Sequence, residues 1–318
     1  MTRLPSLLPP ASPDRPAPGS RERRPWLQGI AGAGLFILVQ VLVIVVARGG
    51  ERLLTSVMPR PTAVLTAALL ASTMCVSMVV TGYRLIVRRI GRREAPEMDG
   101  PGALRELAAG LVLGGALICA VFAVLALAGA YRVTGVGWSE GIAVGLVFGV
   151  VGGSNEETMF RGFLQRLIET RLGSWWALGT ISVIFGLLHL TNPGATLSGC
   201  LIIALTAAPL LGACYLLTRR LWLAIGVHAS WNFIQGGVFG SDVSGTGMIK
   251  RGLFEATFHG PDWLTGGHMG VEGSVVTVVV CATAAAVILL AARRRGMLLA
   301  PRWRRPAAQA DGDAVERR

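Results

Sequence analysis

Residues 27–47 read LQGIAGAGLFILVQVLVIVVA, a stretch without a charged side chain. A helix of this length spans the hydrocarbon core of a bilayer, which needs about 20 apolar residues. Similar apolar runs follow at 61–83, 107–129, 141–164, 174–190, 196–217, 221–239 and 271–292. Hydrophobic residues make up 52% of the 318 positions, and the mean hydropathy of +0.57 is too high for a water-soluble domain. The sequence therefore predicts a membrane protein.

The expected fold class follows from what lipid permits. Only helices and closed β-barrels satisfy every backbone hydrogen bond inside a membrane, and unbroken apolar runs lack the alternation of barrel strands. We therefore predict an all-α, polytopic transmembrane helical bundle of about eight helices. The predicted organisation is a disordered cytoplasmic N-terminal tail (1–25), N-terminal transmembrane helices (26–140), a core (141–239), an external loop (240–270), a last transmembrane helix (271–292) and a basic cytoplasmic C-terminal tail (293–318).

The charge of the chain points to a membrane surface rather than to nucleic acid. The formal net charge is +12, from 30 Lys and Arg residues against 18 Asp and Glu. The basic residues lie mainly at the ends of the apolar runs, where such charges orient spans against anionic headgroups. With eight spans, 23 of them fall on one side and six on the other. We therefore predict membrane lipid but no nucleic acid as a partner, the cell (plasma) membrane as location, and both termini in the cytoplasm.

Three of the predicted helices carry polar side chains that are costly inside a membrane and usually mark function. Their motifs are EExxxR (Glu156, Glu157, Arg161), FxxxH (Phe185, His189) and HxxxN (His228, Asn232). In each motif an i, i+4 pair falls on one helical face, so each helix presents one coherent stripe.

The spacing of the motifs predicts that these stripes meet. A turn near residues 172–173 lies about sixteen residues after the glutamate pair and before His189, so an antiparallel hairpin places them level. His228 follows Arg220 by only about eight residues and would lie closer to the cytoplasmic end. The polar residues between 161 and 171 suggest that the fourth and fifth helices extend into the cytoplasm. We therefore expect the site to open to the cytoplasmic leaflet.

Two glutamates, two histidines and an asparagine suit the activation of water at a carbonyl carbon. A carboxylate in an apolar cavity accepts a proton from water, an imidazole holds that water or binds a metal, and a second histidine and an amide steady the oxyanion. Taken singly, Glu157 with Arg161 could be a buried salt bridge, and either histidine an interhelical hydrogen bond. The three motifs together, in a chain with four histidines, favour a functional site.

Other polar or small residues indicate packing. A stripe of glycines recurs every four positions and predicts a groove for a neighbouring helix: Gly141, Gly145, Gly149 and Gly153. The five cysteines are interpreted as small buried residues without a catalytic partner: Cys75, Cys119, Cys200, Cys214 and Cys281. His259 and His268, in the 240–270 loop, are expected to be solvated.

The ordered set of EExxxR, FxxxH and HxxxN resembles the CPBP family of intramembrane proteases, which includes the CaaX prenyl endopeptidases and bacteriocin-processing or immunity proteins. The likeness covers about residues 141–235, so that 141–239 is expected to be a CPBP-like intramembrane protease core. It implies an endopeptidase that hydrolyses peptide bonds with activated water. Glu156 would be the general base on that water, helped by His189.

The resemblance also assigns the remaining motif residues. His228 and Asn232 would stabilise the oxyanion, Glu157 paired with Arg161 would hold the base, and Phe185 would pack beneath the site. The cofactor stays open: the HExxH motif is absent, and a Zn²⁺ ion on Glu156, His189 and His228 is as consistent with the residues as a metal-free glutamate mechanism.

The sequence indicates the chemistry more clearly than the substrate. Relatives of the eukaryotic type cleave prenylated CaaX tails, but an Ala-, Arg- and Gly-rich composition is typical of a GC-rich bacterial genome, so we expect a peptide or membrane-protein substrate. Two other functions would use the same residues: a non-catalytic membrane immunity or binding protein with the same fold, and a transporter with a glutamate proton relay. Intact motifs favour the protease, and no inverted repeat supports the transporter.

Overall fold

The computed structural model describes residues 23–305, and most of the predicted N-terminal tail and the end of the C-terminal tail lie outside them. Within that range the fold is the predicted all-α polytopic bundle, with helix on each of the eight apolar runs. Its helices are α1 (Pro25–Leu54), α2 (Arg60–Ile86), α3 (Ala103–Leu127), α4 (Glu140–Val151), α5 (Arg166–Leu188), α6 (Leu197–Leu205), α7 (Ala207–Thr218), α8 (Trp222–Asn232), the single turn α9 (Asp262–Thr265) and α10 (Val275–Arg294).

Six helical stretches in the described part of the chain are long and apolar enough to cross a membrane. One of them, Glu140–Thr191, is a hairpin rather than a single rod, because Gly173 has φ 80° and ψ 171° and breaks it at the predicted turn. Its two arms are the fourth and fifth predicted spans. The seventh predicted span consists of α8 and a π-helical continuation, Phe233–Val238, and is largely buried in the bundle.

The distribution of polarity is that of a membrane protein. Large apolar side chains face outward, such as Leu38 (50% exposed) and Ile44 (59% exposed) on α1, whereas Arg161 and Gln165 are fully buried. A water-soluble protein would expose its charges and bury its leucines. The chain is therefore an integral membrane protein.

Three of the four glycines in the predicted stripe, Gly145, Gly149 and Gly153, pack against a neighbouring helix as predicted. Gly145 faces the backbone of Gly237, and a Cβ on Gly149 or Gly153 would meet the carbonyl oxygens of α8 at 2.6–2.7 Å. Such close approach is available only to residues without a side chain. Close packing against α4 places the third motif, on α8, beside the first motif.

A two-stranded antiparallel sheet covers one end of the bundle. Strand β1 (Tyr131–Val136) pairs with β2 (Phe254–Phe258), with an irregularity between Val133 and Gly135. The segment 240–270, predicted as a loop, thus contains a strand and α9. Its two histidines are exposed, as expected.

Salt bridges hold the helices together at the end of the bundle opposite to the sheet. Arg219 donates to Glu169 at 2.6 Å and Arg220 to Glu106 at 3.3 Å, and both arginines are 8% exposed. The sequence had suggested that this Arg pair marks the cytoplasmic boundary of the helix. Because the pair is buried inside the protein, α8 begins within the bundle, and His228 reaches the level of Glu157.

Candidate active site

The first motif lies on an irregular stretch of helix. Two π-helical segments, Gly152–Glu156 and Thr158–Gln165, follow α4 and surround Glu157. Insertions of this kind occur frequently at functional sites because they reorient side chains that a regular helix would space evenly. Glu157 is fully buried here, whereas Glu156 is partly exposed.

Glu157 joins the first and third motifs. Its Oε1 accepts a hydrogen bond from Arg161 Nη1 at 2.9 Å and lies 2.8 Å from His228 Nδ1. The second guanidinium nitrogen of Arg161 donates to the carbonyl of Ala208 at 3.0 Å. The predicted pairing of Glu157 with Arg161 is therefore present. The contact with His228 was not predicted, and it gives Glu157 a second role in orienting that imidazole.

Phe185 lies at the centre of the cluster, beneath the polar groups. Its ring centroid is 4.8 Å from the Arg161 guanidinium carbon, 4.9 Å from the His189 ring and 6.2 Å from the His228 ring. A cation over an aromatic face and two packed imidazoles restrict the positions of all three side chains. This matches the packing role that the resemblance assigned to Phe185.

His189 ends α5 and is held by its own helix. Its Nδ1 lies 2.7 Å from the carbonyl oxygen of Phe185 and donates to it in the neutral ring, which leaves Nε2 as an acceptor. That tautomer suits an imidazole that receives or orients a water proton. No hydrogen bond joins His189 directly to Glu156 in the described structure, so a bridging water or substrate would have to connect them.

Asn232 lies next to His228 and beside a glycine that the motifs do not include. Its Nδ2 donates to the carbonyl of Phe148 at 3.4 Å, which leaves the second amide proton available. A Cβ added to Gly152 would be 2.8 Å from Asn232 Nδ2 and 3.1 Å from His228 Nε2. Gly152 therefore keeps open the space in front of both donors. In the sequence, Gly152 is distinguished only by lying beside Gly153 and outside the series of glycines that recur every four positions.

Two cavities meet the cluster from different directions. A small one of about 30 Å³ is lined by His189, His228 and Asn232 among apolar side chains, together with Ser244 and Glu272. Sequence reasoning missed the last two because they lie beyond the motifs, in a segment interpreted as an external loop and the start of a span.

A larger cavity of about 710 Å³ contains Glu156 and Gly152 and extends between α1, α2 and α4. Its far end is lined by Arg48, Glu51, Arg60 and Glu140. These residues lie at the end of the bundle opposite to the 84–105 loop. In the predicted orientation this is the external end, so the cavity extends away from the cytoplasmic leaflet. The leaflet to which the site opens stays a prediction.

The residues suggested as metal ligands are not grouped together in the described structure. Across the described residues, no group of three or more His, Cys, Asp or Glu side chains is arranged to hold a metal ion. In particular, Glu157 rather than Glu156 contacts His228. Four of the cysteines are buried, as expected, but Cys119 is exposed on α3, and all five are free thiols.

Comparison with known proteins bears on the core alone. No curated protein and no solved structure is detectably similar to the chain. Residues 137–234 match the family model described as "Type II CAAX prenyl endopeptidase Rce1-like". The matched range includes every residue of the three motifs, and it agrees with the resemblance drawn from them. Residues 137–234 are thus similar to the Rce1-like type II CAAX prenyl endopeptidases.

Proposed function

We propose that this protein is an intramembrane endopeptidase that hydrolyses peptide bonds with a water molecule activated by Glu156. The observation that carries the proposal is the contact of Glu157 Oε1 with both Arg161 and His228, which links two motifs on separate helices at the wall of a cavity containing Glu156. A salt bridge that served stability alone would not need an imidazole on the same oxygen.

In the proposed reaction, the water oxygen attacks the peptide carbonyl carbon while Glu156 accepts a water proton, with His189 Nε2 orienting that water. The carbonyl oxygen becomes an oxyanion and receives hydrogen bonds from Asn232 Nδ2 and from His228 Nε2. The Glu157 carboxylate at Nδ1 stabilises the imidazolium form of His228, in which Nε2 also carries a proton. Glu156 then returns its proton to the leaving nitrogen as the C–N bond breaks, giving a carboxylic acid and an amine, and transfer of the remaining carboxyl proton to the amine leaves a carboxylate and an ammonium group.

The larger cavity supports a peptide or membrane-protein substrate. Its inner part is lined by aliphatic side chains such as Val43, Val147 and Val151, and its far end is charged. A volume of about 710 Å³ accommodates several residues of an extended apolar segment with a polar end. Gly152 would allow the substrate backbone to pass close to His228 and Asn232.

The proposal assigns no step to a metal. The metal-dependent alternative, with Glu156, His189 and His228 as ligands, is decided by metal analysis of purified protein beside an activity assay. Full activity of metal-free protein supports the proposal. Activity that is lost on chelation and restored by Zn²⁺ supports the alternative.

The function is tested by comparing peptide termini in membranes from cells with wild-type protein and cells with Glu156→Gln. The proposal expects a set of cleavage products present with the wild type and absent with the variant. Identical termini in both samples, with equal amounts of folded protein, would contradict it. A non-catalytic binding protein would instead retain its captured partner in the variant without any product.

A further inference from the structure

The small cavity behind the motif residues has the size and polarity of a water site. Its volume is about 30 Å³, and a buried water needs about 10–15 Å³ on the same measure and two to four polar partners. Five polar side chains line it: His189, His228, Asn232, Ser244 and Glu272. An empty cavity of this kind would be lined by apolar groups alone.

Glu272 supplies the carboxylate of this cavity and lies outside the family match. It precedes α10 and is 7% exposed. Its Oε2 accepts two hydrogen bonds from Ser244, one from the backbone nitrogen at 2.8 Å and one from Oγ at 2.7 Å. Because both bonds end on Oε2, Oε1 remains available to the cavity.

The backbone of Ser244, which makes these bonds, is strained. Its φ of 53° lies in the left-handed region, where residues other than glycine are uncommon. Such strain persists where the surrounding structure requires it, often at functional sites. The connection between the bundle and β2 is thus bent at Ser244, and both hydrogen-bond donors of Ser244 point at one carboxylate oxygen.

A purely structural role for Glu272 leaves its charge unexplained. A glutamine would satisfy both Ser244 donors without the cost of burying a carboxylate among aliphatic side chains. His189 and His228, the two imidazoles of the proposed mechanism, line the same small cavity as Glu272. Glu272 therefore shares a cavity with the site.

We propose that Glu272, held by Ser244, is a positioning residue that keeps a water molecule in the small cavity and supplies it to His189 for hydrolysis. The inference rests on the proposed endopeptidase function. Water is scarce in the membrane, so a polar chamber beside the site would maintain the nucleophile when a substrate fills the larger cavity. Glu272 acts through this water and does not contact the scissile bond.

The test uses the full chain in liposomes and two readouts. The first is radiolytic hydroxyl-radical labelling of Trp231 and Cys281, which line the small cavity and are modified when water lies beside them. The second is the separation of kcat from KM on an identified substrate. The variants are Glu272→Gln, Glu272→Met and Ser244→Ala, and Glu106→Gln is the control, because Glu106 is equally buried but pairs with Arg220 at the other end.

We expect Glu272→Met to lose most of the labelling and to lower kcat on the order of 10²-fold with KM nearly unchanged. Glu272→Gln and Ser244→Ala should give smaller losses of both, and Glu106→Gln should lower the melting temperature without changing either. Wild-type labelling and wild-type kcat in folded Glu272→Gln and Glu272→Met would overturn the proposal. So would a wild-type protein whose Trp231 and Cys281 are unlabelled, a result that does not depend on the folding of any variant.

The two readouts separate this proposal from the proposed function. If Glu156→Gln cleaves as fast as the wild type, the endopeptidase mechanism fails, while labelling still reports whether Glu272 holds water. If Glu156→Gln is inactive but the Glu272 variants match the wild type in both readouts, the mechanism stands and the role of Glu272 fails.

Discussion

Glu157 and His228 lie in contact across two helices, with Oε1 of the carboxylate 2.8 Å from Nδ1 of the imidazole. Both residues are at least 91% buried, so the contact is shielded from bulk water. A carboxylate at Nδ1 fixes the tautomer and the ring orientation of a histidine and stabilises its protonated form. Glu157 therefore takes part both in the buried salt bridge with Arg161 and in setting the protonation and orientation of His228, whose Nε2 faces the proposed reaction.

The pairing predicts two separable effects for Glu157→Gln. Removing the carboxylate leaves the Arg161 guanidinium as an unpaired buried charge, which typically costs about 3–5 kcal/mol. It also leaves His228 without its orienting group. We expect the melting temperature and kcat both to fall, as measured by thermal unfolding in detergent and by peptide cleavage in liposomes.

A double variant distinguishes the two effects. Glu157→Gln combined with Arg161→Met removes the stranded charge, so stability should recover in part. Activity should not recover, because His228 still lacks its carboxylate. Recovery of activity together with stability would show that Glu157 acts through folding alone.

Gly152→Ala should impair turnover far more than stability. The added methyl group would lie 2.8 Å from Asn232 Nδ2 and 3.1 Å from His228 Nε2, in the space assigned to the carbonyl oxygen. The matched control is Gly179→Ala on α5, whose Cβ would meet no atom within 4 Å. We expect kcat/KM to fall on the order of 10²-fold for Gly152→Ala and to stay unchanged for the control. Equal activities of the two variants would rule out the proposed oxyanion position.

Asn232→Ala should lower kcat by about 10²–10³-fold, as expected for the loss of one oxyanion donor. The control is Asn155→Ala, a buried asparagine of the same helix-rich core that donates to the carbonyl of Phe36 at 3.1 Å. That variant should lose stability but keep its rate. A rate loss of the same size in both variants would make the effect of Asn232 structural.

The orientation of the chain is tested by thiol labelling with a membrane-impermeant reagent, in a background without native cysteines. Met248→Cys lies at the larger cavity and Met248 is 49% exposed, whereas Glu94→Cys lies in the 84–105 loop. The distribution of basic residues predicts labelling of position 248 in intact cells, and of position 94 only after permeabilisation. Labelling of both positions from one side would contradict the predicted topology.

Hydropathy was sufficient to locate all eight helical spans, because each needs about 20 apolar residues and little else in the chain is apolar. The turn at Gly173 and the packing of Gly145, Gly149 and Gly153 also followed from local spacing. The i, i+4 pairs correctly grouped Glu157 with Arg161. Contacts within one helix depend on its known periodicity, so one sequence determines them well.

Contacts between helices were harder to predict. The hydrogen bond from His228 to Glu157 depends on the π-helical stretch around Glu157 and on the depth of α8, neither of which has a clear sequence signal. Arg219 and Arg220 are buried, but in sequence a buried arginine looks like one at the membrane surface. The depth of His228 could therefore not be derived from its distance to this pair. Glu272 and Ser244 come close to the site because the long connection after α8 folds back onto the bundle. From its composition alone, segment 240–270 was predicted to be a loop.

The most direct test of the account is the single-turnover cleavage rate of Glu156→Gln in liposomes, measured beside substrate binding and thermal stability. Glutamine keeps the shape of the side chain but cannot accept a proton from water, so the rate should fall by about 10²–10⁴-fold while binding and melting temperature stay at wild-type values. His189→Ala should show the same pattern. A Glu156→Gln protein that cleaves its substrate at a rate near that of the wild type would contradict Glu156 as the base.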